Sequence, residues 1–489
     1  MGVVKIDKFV INTEKDAYLK SQDLVKFLDD QVQSLSFQEF ISKFSILTNL
    51  PPDIIAFEIK QVLMRSHDFQ TGKFKKIFHF YRIFKSSIIF FLSTMYILIF
   101  SKTKIARQKT EIIFDEIESL EEFKRIYHLK KKFNSHKAIT GKKDINDKNI
   151  FLFYKFKNCD RKYILSNFYL FFIGYLLEGI KFSLREKINY IPLVASIVKK
   201  NIKYRTIFSQ IESNYLYQER HYTTSAIKNY LFKKFGGRIV FCTQKNIIHL
   251  HNTGFYINTD IFFTLGKKTS LTVKFCGSKI KKIIPVGSIY LESKWFQSEK
   301  INVPEYDIVY FNGNNLINFA TNKNFVSNYY ETFRWMVKIS KEFPNLKIAV
   351  KHHLNNKNID PNETYILKNS NIKTIVSANE ADKNYSYGFA FKTKFACTFV
   401  STIAYELIGH QKPCFFLDPA GKNIEFLNNE SYNDSWKIKS YEHFKQKVEN
   451  ILFQKGDKID ISQKISNNED FCLKSDSVSK NIFNSLKSY

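Results

Sequence analysis

The chain has 489 residues, 44% of them apolar, and a formal charge of +29; that length accommodates two or three domains with real cores. So large a surplus of cations implies an anionic partner such as acidic lipid, a nucleotide donor, an anionic glycan or nucleic acid. No RNP-like sequence, zinc finger or helix-turn-helix pattern accompanies it, which excludes a dedicated nucleic-acid reader. The six cysteines, Cys159, Cys242, Cys276, Cys397, Cys414 and Cys472, include no C-x-x-C pair, which excludes a disulfide framework or structural zinc and predicts a reducing cytoplasm.

Residues 1–105 read as a helical N-terminal region. Met1-Gly-Val-Val-Lys-Ile-Asp7 lacks the apolar stretch behind a basic start that a secretory signal needs. Leu24, Phe27, Leu28, Val32 and Leu35 recur near the 3.6-residue helical period, and Pro51-Pro52 breaks the pattern. Aromatic residues, 49 Phe and 27 Tyr, make up 16% of the chain and point to an apolar surface. Ser86–Ser101 is apolar and uncharged, and falls short of the roughly 18 residues of a spanning helix. Lys73, Lys75, Lys76, Arg82 and Lys85 precede it, and Lys102, Lys104 and Arg107 follow. That arrangement suits an interfacial helix on an anionic leaflet, with a buried core helix as the alternative. Tyr163–Leu177 is a second, shorter apolar stretch of the same kind.

Residues 106–301 read as a first α/β domain. Apolar strands alternating with helical stretches start at Glu111-Ile-Ile-Phe-Asp115. A basic run without acids, from Lys124 through Arg125, Lys130, Lys131, Lys132 and Lys137 to Lys142 and Lys143, reads as a solvated face or an anion-binding one. Tyr215-Leu-Tyr-Gln-Glu219-Arg220-His221 then leads into an amphipathic helix, Ser225–Phe235, closed by Gly236-Gly237. Glu219 and His221 thus fall at a strand-to-helix joint, the side of a parallel sheet where chemistry occurs. They are the candidate catalytic residues, with a pairing of Glu219 to Arg220 or Lys228 as the structural alternative. Gln244-Lys-Asn246, closing the next strand, is expected beside them. Asp260–Gly266 and Ile283–Ser288 read as the domain's last strands, and Val303-Pro-Glu305 as a linker.

Residues 302–489 read as a second α/β domain. Asp307-Ile-Val-Tyr-Phe-Asn312 opens it and Gly313 starts a tight turn. Phe325–Phe343 carries Val326, Tyr330, Phe333, Met336 and Ile339 on one helical stripe. Lys347-Ile-Ala-Val350 ends in Lys351-His352-His353, three consecutive basic side chains at a strand's carboxyl end. They cannot all be packed in a core, so at least one is expected to meet ligand. Ala396–Val400, Ser401-Thr402, a helix and then Pro413–Asp418 form a β-α-β unit whose polar joint gathers hydroxyls and free backbone N–H groups at a helix N-terminus, a phosphate-binding arrangement. Glu406 lies one turn beyond Thr402 on the same face, where its carboxylate can accept from ribose or sugar hydroxyls. Gly409 is read as the helix stop.

The order Lys351-x-His353, strand, Ser401-Thr402-x-x-x-Glu406 and Lys412-Pro413 resembles the nucleotide-binding half of GT-B bacterial glycosyltransferases that build capsules and other surface polysaccharides. It also resembles the sialyltransferase, Kdo-transferase and CDP-glycerol glycerophosphotransferase groups. Leu354 stands where those families usually have proline. The resemblance implies two Rossmann-like domains facing a cleft behind the N-terminal helical region, with residues 440–489 crossing back onto the first domain. It also implies a nucleotide-activated sugar held by Lys351, His353, Ser401, Thr402 and Glu406, with Asn312 and Gly313 lining the same donor site. A cytidine nucleotide is the donor those motifs serve.

The implied reaction is direct displacement by a hydroxyl of a growing glycan or glycolipid, with Glu219 or His221 as general base. No metal is called for, since no Asp-x-Asp pair follows a strand and no His/Cys cluster has ligand spacing. No cofactor beyond the donor substrate is expected, and the location expected is the cytoplasmic face of the plasma membrane. A CDP-glycerol-type polyol-phosphate transferase, a GT-B-like sugar-nucleotide epimerase and a non-enzymatic scaffold that kept the fold are the alternatives.

Overall fold

The computed structural model describes residues 14–68, 73–74, 76–100, 107–117, 120–141, 150–152, 174–246, 256–267, 277–292, 305–313, 323–353, 359–376, 385–419, 436–453, 468–475 and 477–489, with single residues 161, 165, 269 and 273. Two sheets organise them. The first contains β1 (Gln108–Asp115), β2 (His136–Thr140), β3 (Ile150–Leu152), β4 (Ile211–Gln218), β5 (Ile239–Thr243), β6 (Asn258–Thr264) and β7 (Lys279–Pro285), in the order β3-β2-β1-β4-β5-β6-β7. The second contains β8 (Ile308–Phe311), β9 (Ile348–Lys351), β10 (Lys373–Ile375), β11 (Phe395–Thr398), β12 (Cys414–Leu417) and β13 (Lys437–Ile438), in the order β10-β9-β8-β11-β12-β13. All their pairings are parallel. Each sheet reverses its order once, at β1/β4 and at β8/β11. In a doubly wound sheet the ligand crevice opens at that reversal. The α/β architecture of two Rossmann-like domains is therefore present.

The N-terminal region contributes α1 (Glu14–Gln33), α2 (Leu35–Thr48), α3 (Pro52–Ser66) and α4 (Ile83–Phe100), and the first domain α5 (Leu120–Arg125), α6 (Tyr127–Lys130), α7 (Tyr175–Glu186), α8 (Ile191–Gln210) and α9 (Ala226–Lys234). Alternation along the strands sorts side chains to two faces. Ile113, Leu216 and Val240 join Leu28, Phe44, Ile59, Val198 and Phe232 in one core. Residues 14–100 are thus a helical layer fused to the first sheet, with no separate core behind a boundary at 105. Ile112, Phe114, Tyr217 and Phe241 face the other way, onto Phe123 of α5 and Leu129 of α6. Leu24, Leu28 and Val32 are buried as their spacing predicts, whereas Leu35, first residue of the next helix, is 91% exposed.

In the second domain, α10 (Lys323–Glu342) covers the sheet with Tyr329, Phe333, Met336 and Ile339. The helices α11 (Pro361–Leu367), α12 (Tyr385–Lys392), α13 (Thr402–Gly409) and α14 (Tyr441–Leu452) complete its layers. Asp360 caps α11 by accepting from the N–H groups of Asn362 and Glu363. The chain then returns to the first domain through α15 (Asn468–Phe471) and α16 (Val478–Lys487), where Val478, Ile482 and Leu486 enter the core beneath Phe114 and Phe241.

That crossing is tightly threaded. A Cβ on Gly409 would stand 2.2 Å from the Cys472 carbonyl oxygen, and one on Gly287, whose φ is +93°, 2.4 Å from that of Leu473. One glycine belongs to each domain, and the crossing segment runs against both. Gly409 is therefore needed for close approach and not as the helix stop expected from the sequence: it closes α13, His410 caps the end, and Gln411 takes the left-handed conformation at φ 59°.

Candidate active site

The second sheet presents its site residues at the reversal between β8 and β11, and burial divides them. Lys351, last residue of β9, is 1% exposed and its ammonium donates to the His352 carbonyl at 2.9 Å. His352 is fully buried: Asn312 Nδ2 lies 3.2 Å from its Nδ1, and Glu363 Oε2 3.5 Å. Tyr329 Oη donates to Asn312 Oδ1 at 2.7 Å and to Glu363. Burial lowers the His352 pKa to about 4 and raises that of Glu363, so a neutral ring and a carboxyl reluctant to ionise share this network. Two of the three basic residues are in the core, Lys351 bonded to the His352 carbonyl and His352 held at Nδ1 by Asn312 and Glu363, and His353 is the one left outside, in keeping with the expectation that not all three could be packed. Asn312, expected at the donor, spends its side chain on that network, and Gly313 is buried beside it.

His353 is solvent-exposed. Partial desolvation, with the charges of Lys351 and Arg125, lowers its pKa. Ser401 and Thr402, each half-buried, stand at the start of α13. The Ser401 backbone is extended (φ −160°, ψ 141°) and its hydroxyl makes no capping bond to the helix, so it faces the helix's positive end without closing it. Glu406 departs from its expected ribose-binding place. It is 2% exposed at the domain junction, where Oε1 accepts from Ser288 Oγ of the first domain at 2.5 Å and Oε2 from Tyr387 Oη at 2.8 Å.

Across the cleft, Glu219 directly follows β4 at the first sheet's reversal. It is fully buried, accepting from Tyr290 Oη at 2.7 Å and Tyr217 Oη at 3.0 Å, with Lys245 Nζ at 3.7 Å. Burial raises its pKa against the pull of Lys245 and the Tyr290 bond. The pairings that the structural alternative proposed are not made: Arg220 pairs with Glu122 at 3.0 Å, and Lys228 with Asp115 at 2.7 Å. Residue 245 does come to rest beside Glu219 and His221, as its strand position predicts. His221 is a poor base: it is fully buried, its Nδ1 accepts the Lys245 backbone N–H at 3.1 Å, and desolvation lowers its pKa to about 3. Its geometry fastens the β4 and β5 loops together.

Arg125, the last residue of α5, is the site residue that sequence reasoning passed over. Its guanidinium lies 5.5 Å from the centre of the Tyr290 ring, and its charge acts on His353 and Tyr387 of the opposite domain. In the sequence it is one of eight cations in a run. The neighbours differ from it only in three dimensions: Lys130 stacks 3.7 Å over Phe123 and Lys131 4.3 Å over Tyr127.

No family model matches the chain, and no curated protein sequence matches it either. Solved structures do. The UDP-bound MnaA of S. aureus aligns over 78% of this chain and 96% of its own, at 11% identity and a TM-score of 0.46. The UDP-GlcNAc 2-epimerase of Methanocaldococcus jannaschii aligns over 78% and 100%, at 12% identity and 0.47. The wall teichoic acid polymerase TagF aligns over 83% and 95%, at 10% identity and 0.42.

Proposed function

We propose that this chain is a GT-B transferase that moves a sugar, or a polyol phosphate, from a nucleotide donor to a hydroxyl of a surface glycan or glycolipid. The observation that carries the reading is Arg125 on one wall, whose charge reaches His353 on the other, where His353 follows β9 and Ser401-Thr402 follows β11 at the same sheet edge. A nucleotide's phosphates would lie between them, met by a guanidinium, an imidazole, two hydroxyls and the first free N–H groups of α13, with the Lys351 charge beneath. These groups are fixed before the leaving group departs, so they stabilise the charge that develops on it. Glu406, held by Ser288 and Tyr387, sets how the domains meet around the donor.

On the acceptor side, Glu219 takes the proton through Tyr290. As the acceptor hydroxyl attacks the donor carbon or phosphorus, its proton passes to the Tyr290 oxygen and the Tyr290 proton passes to Glu219 Oε1. A buried carboxylate with a raised pKa is suited to that task near neutrality. The transfer reading is preferred over epimerisation because α4 exposes an apolar surface that an enzyme acting on soluble sugar nucleotides does not need.

A thermal-shift panel of CMP, CDP, UDP, UMP and GDP tests the donor half of the reading. Selective stabilisation by one of them is expected and names the donor class, since binding adds RT ln(1 + [L]/Kd) to stability. No shift with any of the five would remove the site. Exchange of deuterium from solvent into UDP-GlcNAc without an acceptor would replace transfer with epimerisation.

A further inference from the structure

The helix running from Phe80 to Phe100 has 21 residues and a mean hydropathy of 1.9 over its most apolar window, of which 17% is buried. Phe84 is 78% exposed and Leu92 59%, with Ile89, Phe91 and Ile99 beside them. The alternative of a core helix is thereby set aside. Only a narrow stripe of α4, Phe90, Thr94 and Ile97, is buried, and it packs along α7 and α8. α7 exposes Leu177 and Leu184 in turn.

Packing settles the orientation. A helix standing across a bilayer is surrounded by lipid or by other spanning segments, whereas α4 lies along two helices of a layer fused to the first sheet. With its lead-in from Phe80 it is long enough to cross, about 31 Å over 21 residues at 1.5 Å per residue, but crossing would strip it from α7 and α8. Charge selects the surface. Between Asp68 and Glu111 the sequence has no acid and nine cations: Lys73, Lys75, Lys76, Arg82, Lys85, Lys102, Lys104, Arg107 and Lys109. Among the described residues Lys76, Arg82 and Lys85 precede or open α4, while Arg107 and Lys109 share Glu212 at 3.1 and 3.7 Å; two copies meeting through this face would set like charges together, while an anionic leaflet complements them.

We infer that α4 is an in-plane anchor: its exposed face sinks into the acyl boundary of an anionic leaflet, its buried stripe stays on the protein, and the flanking cations rest on the headgroups. This does not depend on the cleft chemistry.

Co-sedimentation of the full chain with phosphatidylcholine vesicles, with and without phosphatidylglycerol, tests it. Binding to the anionic vesicles at low salt, released by high salt or alkaline carbonate, is expected. Phe84→Glu with Leu92→Glu should weaken it at least tenfold while leaving the melting temperature in place, since both side chains are exposed. Independently of those variants, Phe84→Trp fluorescence should be quenched by lipids brominated near the headgroups more than by lipids brominated near the bilayer centre. Carbonate-resistant binding or deep quenching would overturn the in-plane placement in favour of a spanning helix. Soluble dimers that dissociate on Leu92→Glu would assign the face to a second copy, and no binding to either vesicle would remove the anchor.

Discussion

The two walls of the cleft are built on opposite plans. On the second domain, His353, Ser401 and Thr402 reach solvent, while Lys351 and His352 hold them from below. On the first, Glu219 and His221 are fully buried and Tyr290 nearly so, with the Arg125 guanidinium over the Tyr290 ring. Phosphate is bound by direct contact with hydroxyls, imidazole and backbone N–H groups, so its ligands must be accessible. A proton acceptor gains from desolvation, which raises a carboxylate's pKa and is bought with access. On the proposed function, the difference between the walls is the difference between holding a charge and moving a proton.

The comparison can be broken most sharply at Glu219. Glu219→Gln, and Tyr290→Phe to a lesser degree, should lower kcat by about 10²–10⁴-fold, the usual worth of general acid–base catalysis, with nucleotide affinity unchanged by calorimetry. Full turnover in both variants would end the relay. On the opposite wall, Ser401→Ala with Thr402→Val, or His353→Ala, should weaken nucleotide binding by about 1–3 kcal/mol without loss of fold. Unchanged affinity in both would remove the phosphate site. Arg125→Ala should cost about tenfold in nucleotide affinity, and that loss should shrink as salt screens the missing charge.

The most gradual effect is in pH. The folded pKa of His221, about 3, lies below its unfolded value near 6.5, so acid protonates the unfolded chain first. The stability this buried neutral ring contributes is present above pH 6.5 and lost as pH falls toward 3. The margin by which the native protein outlasts His221→Asn in denaturant melts should therefore narrow by up to about 1.4 kcal/mol per pH unit below 6.5. A pH-independent margin would mean that His221 titrates alike in the folded and unfolded chains.

Much of the second domain was legible because its strand ends are short and punctuated. The β-α-β unit around Ser401 and the strand before Lys351 fall where apolar runs and Pro413 put them. What escaped was set by burial and by distance along the chain. Lys351 and His352 look as exposed in sequence as His353, and only the His352 carbonyl beside Lys351 and the Asn312–Glu363–Tyr329 network around His352 explain why they are not. Glu406 was placed correctly on α13, but its neighbour Ser288 is 118 residues away. Arg125 could not be told from Lys130 or Lys131 until α5 had a position. Gly409 was read from its local context as a helix end, while its reason lies at Cys472. Most of the expected linker at 303–305 and of the apolar stretch 163–177, and the cations Lys102, Lys104, Lys142 and Lys143, lie outside the described residues, as does Leu354.

The return of α16 to the first sheet also fixes an order of events during synthesis. Val478, Ile482 and Leu486 fill a core otherwise built from residues 112–290, so that core stays open while nearly two hundred intervening residues leave the ribosome. Contacts this distant in sequence form late and leave apolar surface uncovered meanwhile. The second domain, whose core residues lie between 308 and 471, can close before the first is finished. The domain made first is then the one completed last, and truncation after residue 453 would leave both sheets present and the first one unsealed.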